Sequence, residues 1–205
     1  MARRAGSDGT RTEAAIREAA LRLIARLGYE ALSMRRLAQE VDLAPGALYR
    51  YFPNKQAILF RLLERHMEEL LDAWAAARPG SDTDPVARLE AFTRFHIRHH
   101  LPRGEGVFLS YMELRSLTRS NLAAIAVMRR RYEQELVRIL DAGHAAGRLD
   151  APEPRVAARA IIAMLTGLTT WYRADGPLSD QEIADIYGTM VARLAGATIA
   201  EREDA

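Results

Sequence analysis

Ser33-Met34-Arg35-Arg36-Leu37-Ala38-Gln39-Glu40-Val41-Asp42-Leu43-Ala44-Pro45-Gly46-Ala47-Leu48-Tyr49-Arg50-Tyr51-Phe52-Pro53-Asn54-Lys55 is the stretch on which the reading of this 205-residue chain turns. Ser33 stands where the helical spacing of Met34, Leu37 and Ala38 begins, and its hydroxyl can accept from a free backbone N–H, so it caps a short helix. Val41, Asp42 and Leu43 make a turn. Pro45, with its fixed φ and missing N–H, suits the first position of a third helix, Pro45 to Phe52. Asn54 caps a long fourth helix. Two short helices joined by a tight turn and followed at once by a long one give a helix-turn-helix outline. The outline alone is weak, because many all-helical proteins contain short helix pairs.

Charge placement sharpens it. Arg35 and Arg36 fall in the first turn of the second helix, and Lys55, the one lysine in the chain, in the first turn of the fourth. Cations there oppose the helix dipole, at about 0.3–1 kcal/mol each. A phosphate at those ends reverses the sign, since it meets both the free N–H groups and the cation. Solvated surface charge is the plainer alternative. In the third helix Leu48 and Phe52, four apart, face inward. Gly46, Ala47, Tyr49, Arg50 and Tyr51 are left outside. Small residues let the helix approach a groove floor, Ala47 or Tyr49 can touch a thymine methyl, and Arg50 can bond guanine or phosphate. A protein–protein surface would use similar residues.

The flanking chain is helical throughout. Thr10 and Glu13 form a T-x-x-E capping box, which predicts a helix starting near Arg11. Its apolar face is Ile16, Ala19, Ala20, Leu23, Ile24 and Leu27, and Gly28 stops it. The fourth helix carries Ile58, Leu62, Leu63, Met67, Leu70, Leu71 and Trp74 and ends before Pro79-Gly80. Asp84-Pro85 opens a helix to about Leu101, and Pro102 to Gly106 breaks it. Further helices are expected over Val107–Leu117 and Asn121–Ala146. Val156 to Arg173 is apolar almost all round, the pattern of a buried helix. Ser179 and Glu182 form a second capping box before a last helix striped with Ile183, Ile186, Tyr187, Met190, Val191 and Leu194. No strand alternation, internal repeat or low-complexity segment appears. The fold class is all-α, with about nine helices. The DNA-reading head is placed at 1–55 and a larger helical body at 56–205.

Composition narrows the function classes. Apolar residues make up 49% and charged residues 27%, as in a globular protein. The absence of cysteine excludes disulfides and thiolate metal sites. Met1 to Thr10 lacks the apolar core of a signal sequence. The longest uncharged stretch, Ala160 to Tyr172, is too short for a bilayer, which takes about 20 residues. A cytoplasmic location without membrane contact is the expectation. Net charge is only +2, yet residues 1–55 carry +4, so a basic head stands on a mildly acidic body. That points to a localised polyanion-binding face.

Thr12 to Leu59 resembles the DNA-binding domain of the TetR family of repressors. The matching residues are Ile16, Ala19, Ala20, Leu23, Gly28, Tyr29, Ser33, Met34, Leu37, Ala38, Val41, Gly46, Leu48, Tyr49, Tyr51, Phe52, Lys55 and Leu59, with the run Gly46–Lys55 the densest. The resemblance implies DNA contacts from Tyr49, Tyr51 and Lys55, and from Ser33, Arg35, Pro45, Gly46, Ala47 and Arg50 at the helix starts. Arg36 joins them by its place in the same turn. Two positions depart from the pattern. Asp42 stands where glycine is usual, a strain if the turn needs positive φ. Ala44 stands where a serine cap is common, a loss of about 0.5–2 kcal/mol that Pro45 partly offsets.

The resemblance further implies a homodimer on a palindromic double-stranded DNA operator, with the last two long helices as the interface. Val156–Tyr172 and Ile183–Leu194 hold more apolar surface than one face each needs, which agrees. Leu165, Ile186, Tyr187, Met190, Val191 and Leu194 are the interface candidates. The remaining helices are expected to enclose an effector, with Phe92, Phe95, His96, Phe108, Tyr111, Met112, Arg115, Met164, Leu168 and Trp171 as lining candidates, although such residues are more often plain core. Tyr111–Leu117, Trp171-Tyr172-Arg173 and Gly176–Ser179 resemble a subgroup that represses fatty-acid or steroid breakdown and responds to acyl-CoA thioesters. Arg98, Arg103 or Arg115 would then meet the phosphates. The alternative is a repressor of an efflux or stress gene that answers a hydrophobic drug-like compound. His96, His99 and His100 share a helix face, and Glu113 is a conceivable fourth ligand or an acid–base partner for His96. No H-E-x-x-H, G-x-S-x-G or P-loop supports a metal site or an enzyme, so no cofactor, no metal and no catalysis are expected.

Overall fold

The computed structural model describes residues 5–197, and all of its regular elements there are helical. They are α1 (Ala5–Leu27), α2 (Met34–Glu40), α3 (Pro45–Leu48), α4 (Lys55–Ala77), α5 (Pro85–His100), α6 (Gly104–Met112), α7 (Arg119–Ala145), α8 (Pro154–Gly167) and α9 (Asp180–Leu194). Short 3₁₀ turns follow α5, α6 and α8. Two compact units emerge. The first runs to Glu68 and adds Glu105–Ala126; the second takes Glu69–Gly104 and the chain from Val127 onward. Residue 55, where the head was expected to end, is the first residue of α4, and the two compact units divide within that helix, after Glu68.

In the first unit α1 packs on α2, and α2 on α3. Ile16, Ala19, Ala20, Leu23 and Ile24 are buried along one stripe of α1, facing a core that includes Leu37, Ala38, Leu48, Ile58 and Leu59. Gly28, at φ +81°, ends α1 in the left-handed region that glycine enters without a Cβ penalty, and its N–H closes on the Ile24 carbonyl at 2.8 Å. The start of α1 differs from the capping-box expectation. The helix already runs at Ala5, and Glu13 pairs with Arg17 one turn later rather than marking the entry. No proline upstream stops the helix from propagating backwards. At α9 the same motif does form. Ser179 Oγ accepts from the Glu182 N–H, and the Ser179 N–H donates to Glu182 at 2.8 Å, directly after Gly176-Pro177.

The second unit is built from the end of α4, α5, the later part of α7, α8 and α9, with α5 packed on both α8 and α9. Phe92 is fully buried between Trp74, edge-on at 5.1 Å, and Tyr132 at 5.2 Å. Burying a side chain of that size contributes about 1.5–3 kcal/mol. Arg94 ties α5 to α9 through Asp185 at 2.6 Å. The expected buried helix Val156–Arg173 is shorter and one-sided. Ala157, Ala158, Ile161 and Leu165 are buried, while Val156 is 61% exposed. Beyond Gly167 the hydroxyls of Thr169 and Thr170 take the carbonyls of Thr166 and Gly167, a local alternative that ends the α-helix.

Candidate nucleic-acid interface

The reading segment forms much as its local chemistry dictates. Ser33 caps α2, its Oγ accepting from the Arg36 N–H at 3.2 Å. Asn54 Oδ1 does the same for α4, accepting from Ala57 N–H at 2.9 Å. Between α2 and α3 the chain reverses at Asp42, whose φ of 53° is the only positive value at a non-glycine position among the described residues. The left-handed conformation costs such a residue about 1–2 kcal/mol. Ala44 offers no side-chain cap to α3, and Pro45 fills the first helical position. The third helix is shorter than Pro45–Phe52: one α-turn to Leu48, then tighter turns in which the N–H groups of Tyr51 and Phe52 both return to the Leu48 carbonyl. Losing the serine cap and following the helix with Pro53 leaves little to extend it.

The consequence is a small polar face. Ser33, Arg35, Arg36, Pro45, Gly46, Tyr49 and Arg50 are exposed, and Ala47, Tyr51 and Lys55 are half-buried. Tyr49 leaves 52% of its surface in solvent, a large aromatic with nothing over it. The guanidinium groups of Arg35, Arg36 and Arg50 carry no ion pair among the described residues. Lys55 differs. Its ammonium lies 4.5 Å from the centre of the Tyr29 ring and 3.4 Å from the Glu30 carboxylate. Tyr29 and Glu30 escaped the sequence reading as site residues because they lie a full helix-turn-helix away from Lys55. Burial pushes the Tyr29 phenol above its ordinary range, partly opposed by its hydrogen bond from Gln56.

The effector candidates scatter. In the second unit Phe92, His96 and Leu168 are buried, Phe95 and Met164 half-buried, and Trp171 is 53% exposed. In the first unit Tyr111 is half-buried, Arg115 is exposed, and Phe108 and Met112 are 45% and 52% exposed. His96 bridges Tyr132 at 3.1 Å and Thr166 at 3.2 Å, and its ring stacks on His100 at 3.9 Å. His99 Nε2 is buried without a hydrogen-bond partner. Its pKa falls to about 4, first through burial and then through Arg103, with Glu69 opposing. Glu113, considered above with His96, is engaged inside the first unit by the Tyr29 N–H at 3.2 Å and Ser116 Oγ at 2.7 Å. Among the described residues no three metal-binding side chains converge.

A surface cleft of about 410 Å3 in the second unit was not foreseen; its lining includes Trp74, Arg78, Arg88, Glu135, Arg138 and Ile139. Glu135 accepts from Trp74 Nε1 at 3.3 Å and Arg78 at 2.8 Å and also pairs with Arg138, while Arg88 forms no ion pair among the described residues. Three cations thus line a cleft with one carboxylate, which pairs with two of them. They come from the end of α4, from α5 and from α7, so no sequence spacing announces them.

On the interface candidates the burial pattern divides α9. Ile186, Met190 and Leu194, four apart, are 40%, 48% and 36% exposed, and Tyr187 is half-buried. Val191 and Leu165 are 1% exposed within the single chain and therefore belong to its own core. No helix among the described residues is long and apolar enough to cross a membrane.

Comparison with known proteins bears on both parts. Over 75 residues the chain is 40% identical to the HTH-type transcriptional repressor KstR of Rhodococcus jostii (strain RHA1), covering 37% of this chain and 34% of that protein. The match thus spans about a third of that relative's length. A crystal structure of a tetR-family regulatory protein from Rhodococcus RHA1 is similar over 91% of this chain and 97% of that one, with 28% identity and a TM-score of 0.86. AibR in complex with isovaleryl coenzyme A and operator DNA is similar over 91% and 99% of the two chains, with 28% identity and a TM-score of 0.79. The model of bacterial regulatory proteins of the tetR family matches residues 16–62, and that of the tetracyclin repressor-like C-terminal domain matches residues 82–195. Two models of one family in succession along the chain, the second alone running through more than half of the sequence, leave a single assignment: the chain belongs to the TetR family of bacterial regulatory proteins.

Proposed function

We propose that the protein is a homodimeric transcriptional repressor that acts in the cytoplasm, reads a palindromic operator with the α2–α3 face, and is released from it by a small effector with an apolar body and an acidic end. The observation that carries the reading is the trio of exposed, unpaired guanidinium groups at Arg35, Arg36 and Arg50 on the helix-turn-helix. Unpaired surface cations on a rigid, aromatic-flanked face are what phosphate binding and base reading require. Ser33, Pro45, Gly46, Ala47, Tyr49 and Tyr51 line the same short segment, with Lys55 at its end as a backbone contact. A twofold partner would pack on the exposed stripe Ile186, Met190 and Leu194, with Tyr187 at its margin, and set two heads about 34–36 Å apart.

The effector class rests on two supports. AibR, similar along nearly the whole chain, was solved with isovaleryl coenzyme A. The cleft of Arg78, Arg88 and Arg138 offers a surplus of positive charge for phosphoryl or carboxyl oxygens. Phe92, Phe95, Met164 and Leu168 supply apolar surface in the same unit. Effector binding favours a dimer whose heads no longer match the half-site spacing, and DNA is released. The test is footprinting on the DNA upstream of the protein's own gene, with and without acyl-CoA thioesters. A protected palindrome that a thioester erases is the expected result. Protection that no thioester relieves would remove the effector reading, and no protection would remove the repressor reading.

A further inference from the structure

Lys55 is the residue of the reading head whose side chain is held before any DNA arrives, and the holder has a traceable foundation. Its ammonium sits 4.5 Å from the Tyr29 ring centre. Tyr29 is only 2% exposed, so its placement is set by its neighbours rather than by solvent. Those neighbours come from a distant part of the chain. The Tyr29 N–H donates to Glu113 Oε1 at 3.2 Å, and the Tyr29 hydroxyl accepts from Gln56 Nε2 at 2.9 Å. Gln56 spends the rest of its amide on the junction between α6 and α7: Nε2 also donates to the Ser116 carbonyl, and Oε1 accepts from the Thr118 N–H at 3.1 Å. Ser116 Oγ closes the circuit on Glu113 Oε2 at 2.7 Å. All of these residues lie in the first compact unit.

We infer that Gln56 and Glu113 are positioning residues for DNA binding: they fix Tyr29, and the Tyr29 face seats the Lys55 ammonium for a backbone phosphate. The inference rests on the DNA-binding reading above. Three physical points support it. A lysine side chain loses much rotamer freedom when it is fixed, so a seat that restricts it in advance lowers the cost of binding. An aromatic face attracts the ammonium without consuming its N–H donors, which stay available to phosphate. The remaining neighbour, Glu30, is 87% exposed at its side chain and therefore readily displaced by a stronger anion. Without Glu113 the buried Tyr29 N–H would lose its acceptor, and the segment that carries the seat would shift to find another.

The experiment is a double-mutant cycle read by fluorescence anisotropy on a labelled duplex from upstream of the protein's own gene. Gln56→Ala and Glu113→Ala should each weaken binding by about 3–10-fold, the range expected for lost preorganisation. The same changes should have no further effect in a Lys55→Ala background. Glu113→Gln, which keeps an acceptor for the Tyr29 N–H, should restore most of the loss. Circular dichroism verifies the helical fold of each variant; if Glu113→Ala does not fold, the Gln56→Ala cycle decides alone. Equal losses with and without Lys55, or no loss at all, would overturn the positioning role. Failure of the underlying reading looks different: the unmodified protein and Lys55→Ala would then bind the duplex alike.

Discussion

The two compact units put their polar chemistry in opposite places. On the reading face of the first, Arg35, Arg36 and Arg50 are exposed and unpaired. In the second, a set of arginines is held by carboxylates: Arg94 by Glu90 and Asp185, Arg148 by Asp84, Arg159 by Glu133, Arg78 and Arg138 by Glu135. In return the second unit carries polar groups inside, with Thr93, His96, His99, His100 and Thr166 all buried. A face that must meet a polyanion keeps its charge unsatisfied. The body joins its helices with ion pairs such as Arg94–Asp185 and keeps hydrogen-bonding groups inside its core. The difference lies in which polar groups stand out: exposed guanidinium groups on the reading face, hydrogen-bonding groups inside the second unit.

The comparison breaks most visibly if the body does not pair the heads. Met190→Arg, on the exposed α9 stripe, should give a monomer by analytical ultracentrifugation and weaken operator binding by about 10²-fold or more, the scale on which tethering two sites raises avidity. An unchanged dimer would place the interface elsewhere. Next comes the head itself. Arg50→Ala should cost about 1–3 kcal/mol on the preferred sequence and little on random DNA if Arg50 reads a base. A uniform loss over all sequences would make it a phosphate contact.

Inside the body, His99 sets an acid limit. Its folded pKa of about 4 lies below the ordinary 6.5, so the unfolded chain binds the extra proton first. The neutral, buried form is fully favoured above pH 6.5, and that stability is lost as pH falls towards 4, on the order of 1–2 kcal/mol. Thermal unfolding between pH 7 and 4.5 should reveal the loss, and His99→Phe should flatten it; an equally steep profile in the variant would assign the acid sensitivity to other groups. The smallest effect belongs to the turn. Asp42→Gly relieves the positive φ and should stabilise by about 0.5–1 kcal/mol after the entropy glycine adds to the unfolded chain. Urea titration measures it, and a destabilised variant would mean that the Asp42 side chain compensates its own strain.

Much of the head was legible because its determinants are local. Ser33, Asn54 and Pro45 act on N–H groups within one turn, Gly28 ends α1 through its own φ, and the suspected strain at Asp42 is present as positive φ. Where a local signal misled, a longer-range competitor explains it. Thr10 and Glu13 read as a helix start, yet nothing before them halts α1, whereas Pro177 ahead of Ser179 leaves that box intact. The interface stripe exposed a deeper limit. Leu165, Ile186, Met190, Val191 and Leu194 are all apolar at helical spacing, and only the packing of α5 against α8 and α9 decides which are core. The Tyr29–Lys55 seat and its supports from Gln56 to Thr118 join positions 26 and 62 residues apart, beyond any period a sequence displays.

The central claim is that the α2–α3 face and the start of α4 engage DNA phosphates, through the unpaired guanidinium groups of the face and through Lys55, which Tyr29 and the displaceable Glu30 hold in place. Its most direct test is the salt dependence of binding to the duplex upstream of the protein's own gene, for the unmodified protein and for Lys55→Ala. Affinity should fall linearly with the logarithm of salt concentration, and the variant should bind more weakly with a slope shallower by about 0.9, one released counterion for one lost contact. A flat salt dependence, or a slope that Lys55→Ala leaves unchanged, would contradict the account.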